Sequence, residues 1–188
     1  MPSPVAELFR DLGGVFGRLG LRWYVFGAQA ALLHGAARLT ADVDVTVDAG
    51  ASTPEALAAD LARAGFDCRT DDLPRFVART RVVPVVHRAT RIPVDIVLAG
   101  PGPEELFLSR ATVRDVEGVR VPVAAPEDLV AMKLLAGRPK DIDDALAVVA
   151  ANPGFRADVA RETLHLLEAA LDRSDLVPAL DALFRRAR

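Results

Sequence analysis

The chain has 188 residues, 51% hydrophobic and 26% charged, with a formal net charge of −3. That length suits one domain, or one domain with a helical appendage, and its hydrophobic content excludes intrinsic disorder. No apolar run approaches the ~18–20 residues that span a bilayer, no signal-peptide pattern opens the chain, and the lone Cys68 excludes an intrachain disulfide, which together point to a reducing cytoplasm.

Apolar residues at helical spacing (Val5, Leu8, Phe9, Leu12, Val15, Phe16, Leu19) predict a first helix that stops at Gly20. The run Trp23-Tyr24-Val25-Phe26 predicts a buried strand ending at Gly27, and Ala28 to His34 a helix closed by Gly35. Val43 to Val47 alternates as a strand does, with Asp42, Asp44 and Thr46 on one face and the valines on the other. Thr53-Pro54-Glu55 supplies a helix N-cap with proline at the first turn, and that helix runs to Gly65. Strands are expected over residues 81–86 and 92–98, joined by a polar turn. A short helix over 104–110 and a hairpin over 112–123, turning at Glu117-Gly118, follow. Ala125-Pro126-Glu127-Asp128 opens a helix that reaches Gly137, Pro139 breaks it, Ile142, Ala145, Leu146 and Val149 mark the next, and two more close the chain. This order predicts an α/β (α+β) core over residues 1–124 and a helical C-terminal region over 125–188 that completes the same unit.

Three groups of residues invite chemistry. Asp42 and Asp44, two apart on a strand, project their carboxylates from one face with Cα atoms roughly 7 Å apart. Such a pair stays ionised only with a cation or basic groups between its members, and magnesium, which takes oxygen ligands, suits it. Asp-x-Asp alone is a common pattern, also met on solvated strand faces. Asp95 sharpens it, because it lies in the otherwise apolar strand Pro93-Val94-Asp95-Ile96-Val97-Leu98, where an unpaired carboxylate is costly. Three acids on neighbouring strands would hold one or two metal ions. Second, Gly27-Ala28 joins strand to helix, leaving backbone N–H groups free to meet phosphate, and Arg38 and Thr40 lie between that helix and the acids. Third, Lys133 interrupts an apolar helix and must snorkel or meet an anion; Arg138, Lys140, Asp141 and Asp144 follow closely.

Taken together, Gly27-Ala28, Arg38-x-Thr40-x-Asp42-x-Asp44, Asp95, and Lys133 followed by Arg138-x-Lys140-Asp141-x-x-Asp144 resemble the nucleotidyltransferase superfamily, and most nearly its AbiEii and MenT-like branch of toxin–antitoxin and phage-defence proteins. The resemblance spans roughly residues 20 to 150. It implies a mixed β-sheet flanked by helices, with a helical C-terminal part. It also implies magnesium-dependent transfer of a nucleoside monophosphate from a nucleoside triphosphate, with pyrophosphate leaving. By position, Asp42 and Asp44 would hold the metal. Asp95 would join them and help activate the acceptor hydroxyl. Gly27 and Ala28 would cradle the β- and γ-phosphates, Lys133 would contact the triphosphate, and Arg138 and Asp141 would complete the site, with Asp144 supporting Arg138 or Lys140. Many superfamily members carry serine where this chain has Ala28, which removes a hydroxyl and leaves a nucleotide- or partner-binding module without turnover as a second reading.

The acceptor stays open between tRNA, a protein and a small molecule, and a cognate antitoxin is the other expected partner. The mild acidity of the chain argues against a broadly basic nucleic-acid surface. Locally, however, Arg75, Arg79, Arg81, Arg88 and Arg91 form an acid-free run around the expected strands that flank Asp95, and arginines on those strands would either meet RNA phosphates or discourage edge pairing.

Overall fold

The computed structural model describes residues 2–37 and 40–186. Arg38 therefore lies outside the described residues. Helix α1 (Pro4–Arg18) is capped by the Ser3 hydroxyl, which accepts from the Ala6 N–H, and buries Leu8, Phe9, Leu12, Val15 and Phe16. Strand β1 (Arg22–Phe26) runs directly into α2 (Gly27–Leu33), followed by β2 (Val43–Asp48) and α3 (Pro54–Arg63). Next come β3 (Phe66–Cys68), α4 (Leu73–Thr80), β4 (Val82–His87), β5 (Pro93–Leu98), α5 (Pro103–Arg110) and the hairpin β6 (Thr112–Val116) with β7 (Val119–Val123). Four helices close the chain: α6 (Pro126–Ala136), α7 (Pro139–Ala151), α8 (Ala157–Leu171) and α9 (Leu176–Arg186).

The strands form one seven-stranded mixed sheet in the order β3-β4-β5-β2-β1-β7-β6. The pairs β2–β5 and β1–β7 are parallel and the rest antiparallel. Interior position explains the valine content of β2 and β5, since both edges of each strand are paired and one face is wholly covered. On that face Val43, Val45, Val47, Val94 and Ile96 are buried, and α1 lies across it, with the Phe16 and Trp23 rings 5.3 Å apart. The opposite face carries Tyr24, Phe26, Asp44, Thr46, Asp95 and Val97, because residues directly opposed in neighbouring strands point the same way. Helices α5, α6 and α8 cover part of this second face. They leave a cavity of about 340 Å³ between Tyr24, Thr46 and Val97 below and Phe107, Met132 and Leu167 above.

Two differences from the sequence reading lie between residues 66 and 91. The short β3 and α4 were not expected there, since three and eight residues carry too little periodicity to declare themselves. Of the five arginines, Arg75 and Arg79 are on α4 and Arg81 caps its C-terminus in the left-handed region instead of opening a strand, while Arg88 and Arg91 sit in the β4–β5 turn as expected. Arg88 is paired there with Asp67, 2.5 Å away. Among the described residues no helix is long and apolar enough to cross a membrane.

Candidate active site

Everything at the candidate site begins with Gly27. The chain leaves β1 and enters α2 without an intervening loop, and Gly27 takes φ +69° to make that turn. A Cβ built on Gly27 would overlap the Asp44 carboxylate, so the carboxylate lies directly against the backbone at the start of α2. Glycine is thus required twice, for a left-handed φ that costs other residues ~1–2 kcal/mol and for the space itself. Gly27→Ala is expected to lower the melting temperature and to abolish any magnesium-induced rise in it, because the methyl group displaces Asp44. A thermal melt with and without magnesium measures both.

Sheet register then assembles the acids. Asp44 is opposite Asp95 on β5, one strand spacing of about 4.8 Å away, and opposite Phe26 on β1. Asp42 precedes β2 on the exposed side, and the Thr40 hydroxyl donates to its carboxylate at 2.7 Å, which fixes the approach to the strand. Burial pushes the Asp44 carboxyl up to about 6, with the like charges of Asp42 and Asp95 adding to the shift and Lys133 and Arg138 partly offsetting it. Asp44 is therefore a carboxylate held in a place that disfavours its own charge. A hard cation shared with Asp42 would relieve that, and an all-oxygen donor set fits magnesium. Among the described residues no three His, Cys, Asp or Glu side chains are already gathered as a metal cage. Asp95 is instead engaged by the Arg69 guanidinium, whose Nε also donates to the Val85 carbonyl at 2.9 Å.

Lys133, expected either to snorkel or to meet an anion, meets two. Its Nζ lies 2.7 Å from Asp144 Oδ2 and 3.1 Å from Asp141 Oδ1, and all three side chains are buried. The left-handed Gly137 ends α6 and lets the chain reverse, so that the first two turns of α7 bring both aspartates back against α6. Asp144, expected beside Arg138 or Lys140, is thus a partner of Lys133. Arg138 is exposed and donates from Nε to Asp141 Oδ2 at 2.5 Å. Burial pushes the Asp141 carboxyl up, but hydrogen bonds from Arg138 and Lys133 outweigh it and hold the group below its ordinary value. The same pairing raises Arg138.

The fold hence brings Gly27, Ala28, Thr40, Asp42, Asp44 and Asp95 to one end of the sheet. Lys133 and Arg138 lie close enough for their charge to act on Asp44. Two residues of consequence escaped the sequence reading. Arg69 gave no signal, standing between two unrecognised elements. Asp128 looked like a helix N-terminal charge, yet it is buried against Arg110 and Thr163, tying α5, α6 and α8 together under the second face of the sheet.

Solved structures share this architecture. The solution structure of the antibiotic-resistance factor ANT(2'')-Ia matches with a TM-score of 0.62, covering 92% of this chain and 95% of that one at 11% identity. An antigenic nucleotidyltransferase-like protein from Paracoccidioides brasiliensis matches at 0.57, over 94% of this chain and 92% of that one, at 18% identity. The crystal structure of ANT(2'')-Ia in complex with adenylyl-2''-tobramycin matches at 0.53, over 99% and 100% of the two chains, at 11% identity. Likeness at such identities establishes the fold, that of nucleotidyltransferases. No curated protein sequence matches the chain. The family described as nucleotidyl transferase AbiEii toxin, Type IV toxin–antitoxin system, matches residues 14–187, and the chain belongs to that family.

Proposed function

We propose that this nucleotidyltransferase transfers a nucleoside monophosphate from a magnesium-bound nucleoside triphosphate to an acceptor hydroxyl, tRNA being the first acceptor to test. The observation that carries the reading is Asp44 pressed against Gly27, crowded by Asp42 and Asp95, with Lys133 and Arg138 facing the cluster. In the reaction the acceptor oxygen bonds to the α-phosphorus, the bond from that phosphorus to the bridging oxygen breaks, and pyrophosphate departs. Asp42 and Asp44, with Asp95, would hold the metal. Bound there, magnesium would screen phosphate charge and stabilise the leaving pyrophosphate. Backbone N–H groups at Gly27 and Ala28 would meet the β- and γ-phosphates, and glycine admits the close approach.

Arg138 is the exposed cation of the site. Exposed and tied only to Asp141 among the described residues, it is free to turn toward triphosphate oxygens, whereas Lys133 holds the floor of the site in place. Asp95, half-exposed, would take the acceptor proton once Arg69 yields it. The helices of residues 125–188 complete this site, because both cations come from them. The reaction suits the cytoplasm, where nucleoside triphosphates and magnesium are abundant, and the family implies a cognate antitoxin as partner. The grip of Arg69 on Asp95, together with Ala28, favours a second reading as a nucleotide-binding module without turnover.

Pyrophosphate release from each of the four nucleoside triphosphates, with magnesium and with or without total tRNA, separates these readings. Release that needs tRNA and vanishes in Asp44→Asn is the expected result. Release without tRNA redirects the search to a protein or small-molecule acceptor. Nucleotide binding with no release under any condition establishes the binding module.

A further inference from the structure

Helix α4 carries a surface that the transfer reaction leaves unused. A cavity of about 310 Å³ opens on it, lined by Thr70, Asp72, Arg75, Phe76, Arg79 and Thr80. That volume lies at the lower end of small-ligand sites, roughly 300 Å³ and above. Arg75 and Arg79 are one helical turn apart and both exposed, and among the described residues neither has an ion-pair partner. Three arginines nearby are paired, Arg69 with Asp95, Arg81 with Glu104 and Arg88 with Asp67. Phe76 lines the same cavity as the two guanidinium groups and is 37% exposed, while Val77, buried, and Leu73, partly buried, anchor the helix in the core. The one carboxylate in the cavity, Asp72, is turned to the helix itself and accepts from the Arg75 N–H at 3.2 Å.

An exposed aromatic ring flanked by unpaired arginines around a nucleotide-sized hollow is the chemistry that receives an unpaired nucleotide: a base stacks on the ring while adjacent phosphates meet the guanidinium groups. An acidic peptide would use the arginines and leave the ring exposed. The position adds a direction. Thr70, on the cavity wall, directly follows Arg69, the residue that holds Asp95. We propose that Arg75, Phe76 and Arg79 on α4 bind single-stranded nucleic acid, one unpaired nucleotide seated on Phe76, so that the strand passes beside Asp95. The binding claim stands by itself; its use as the acceptor track rests on the transferase reading above.

The test is fluorescence anisotropy with fluorescein-labelled single-stranded RNA and DNA probes of one sequence, about 12 nucleotides long, over a series of salt concentrations. The wild-type protein is expected to bind, and the tighter of the two probes identifies the natural source. The double variant Arg75→Ala, Arg79→Ala should bind at least about tenfold more weakly, with a salt slope smaller by roughly 1.4, the share of two single-strand phosphate contacts. Phe76→Ala should lose about tenfold with the slope unchanged, and Phe76→Trp should retain binding. Circular dichroism melts confirm that these surface variants fold. Absence of binding by the wild-type protein, or equal binding by the variants, overturns the proposal. Displacement of the probe by poly-glutamate as readily as by unlabelled oligonucleotide also overturns it and assigns the face to acidic polypeptides. The binding assay contains neither nucleoside triphosphate nor magnesium, so failure at α4 and failure of the transferase reading give different results.

Discussion

Asp44→Asn is expected to be more stable than the parent protein in metal-free buffer at neutral pH, while releasing no pyrophosphate. The sign follows from the raised carboxyl. In the unfolded chain Asp44 ionises at its ordinary 3.8, but in the folded protein only at about 6, so folding disfavours the charge. Below pH 3.8 the group is protonated in both states and the parent suffers no penalty. As pH rises from there to about 6 the penalty grows, reaching an upper value of about 3 kcal/mol, and it stays constant above. Asparagine carries no charge and escapes it. For a chain of this size roughly 2–4 °C follows each kcal/mol, so a gain on the order of 5–10 °C is expected at neutral pH, vanishing in acid. Magnesium should raise the parent and leave the variant unmoved, since the cation discharges the crowding that asparagine lacks. Coincident melts of the two proteins across pH in chelator would show that Asp44 is not electrostatically frustrated, and would remove the main support for a metal there.

Lys133→Met should be the most destabilising single substitution at the site. It leaves Asp144 and Asp141 buried with one cation fewer, and stranding one side of a buried ion pair costs ~3–5 kcal/mol. The melting temperature should fall by about 10 °C. Because the penalty belongs to the carboxylates that lose the Lys133 charge, adding Asp144→Asn should recover part of it, which chemical denaturation of the single and double variants measures. The rescued double variant also separates the two roles of the lysine. If it regains stability yet binds nucleoside triphosphate weakly, Lys133 contributes charge to the nucleotide as well as to the fold. If affinity returns with stability, its work is to hold α6 and α7 together behind Arg138.

Both expectations depend on contacts that no stretch of sequence displays. Asp42 and Asp44 were legible as a pair on one strand face because side chains alternate with period two, a property of the chain itself. The first helix, the strand before Gly27 and the hairpin at Glu117-Gly118 were equally plain, since each carries its own periodicity and its own stop. Lys133 in an apolar helix left two outcomes, snorkelling to solvent or meeting an anion, and the chain offered several anions. The choice of Asp141 and Asp144 came from the reversal at Gly137.

What tertiary structure alone decided is which distant residues meet. Asp44 faces Asp95 because β5 lies beside β2, and strand order is fixed by packing of the whole sheet rather than by either strand. Arg69 reaches an aspartate 26 positions away from β3, which exists only by pairing with β4. Arg75 and Arg79, which fell in no expected element, form a helical face with Phe76, since eight residues become a helix here through the capping of Asp72 and the anchoring of Val77. The sequence by itself determined the types of the elements long enough to show a period, and the kinds of chemistry available, because those depend on neighbours a few residues apart. The cost of ionising Asp44, the partner of Asp95 and the burial of Lys133 were decided by the fold, because charge and burial depend on distance in space.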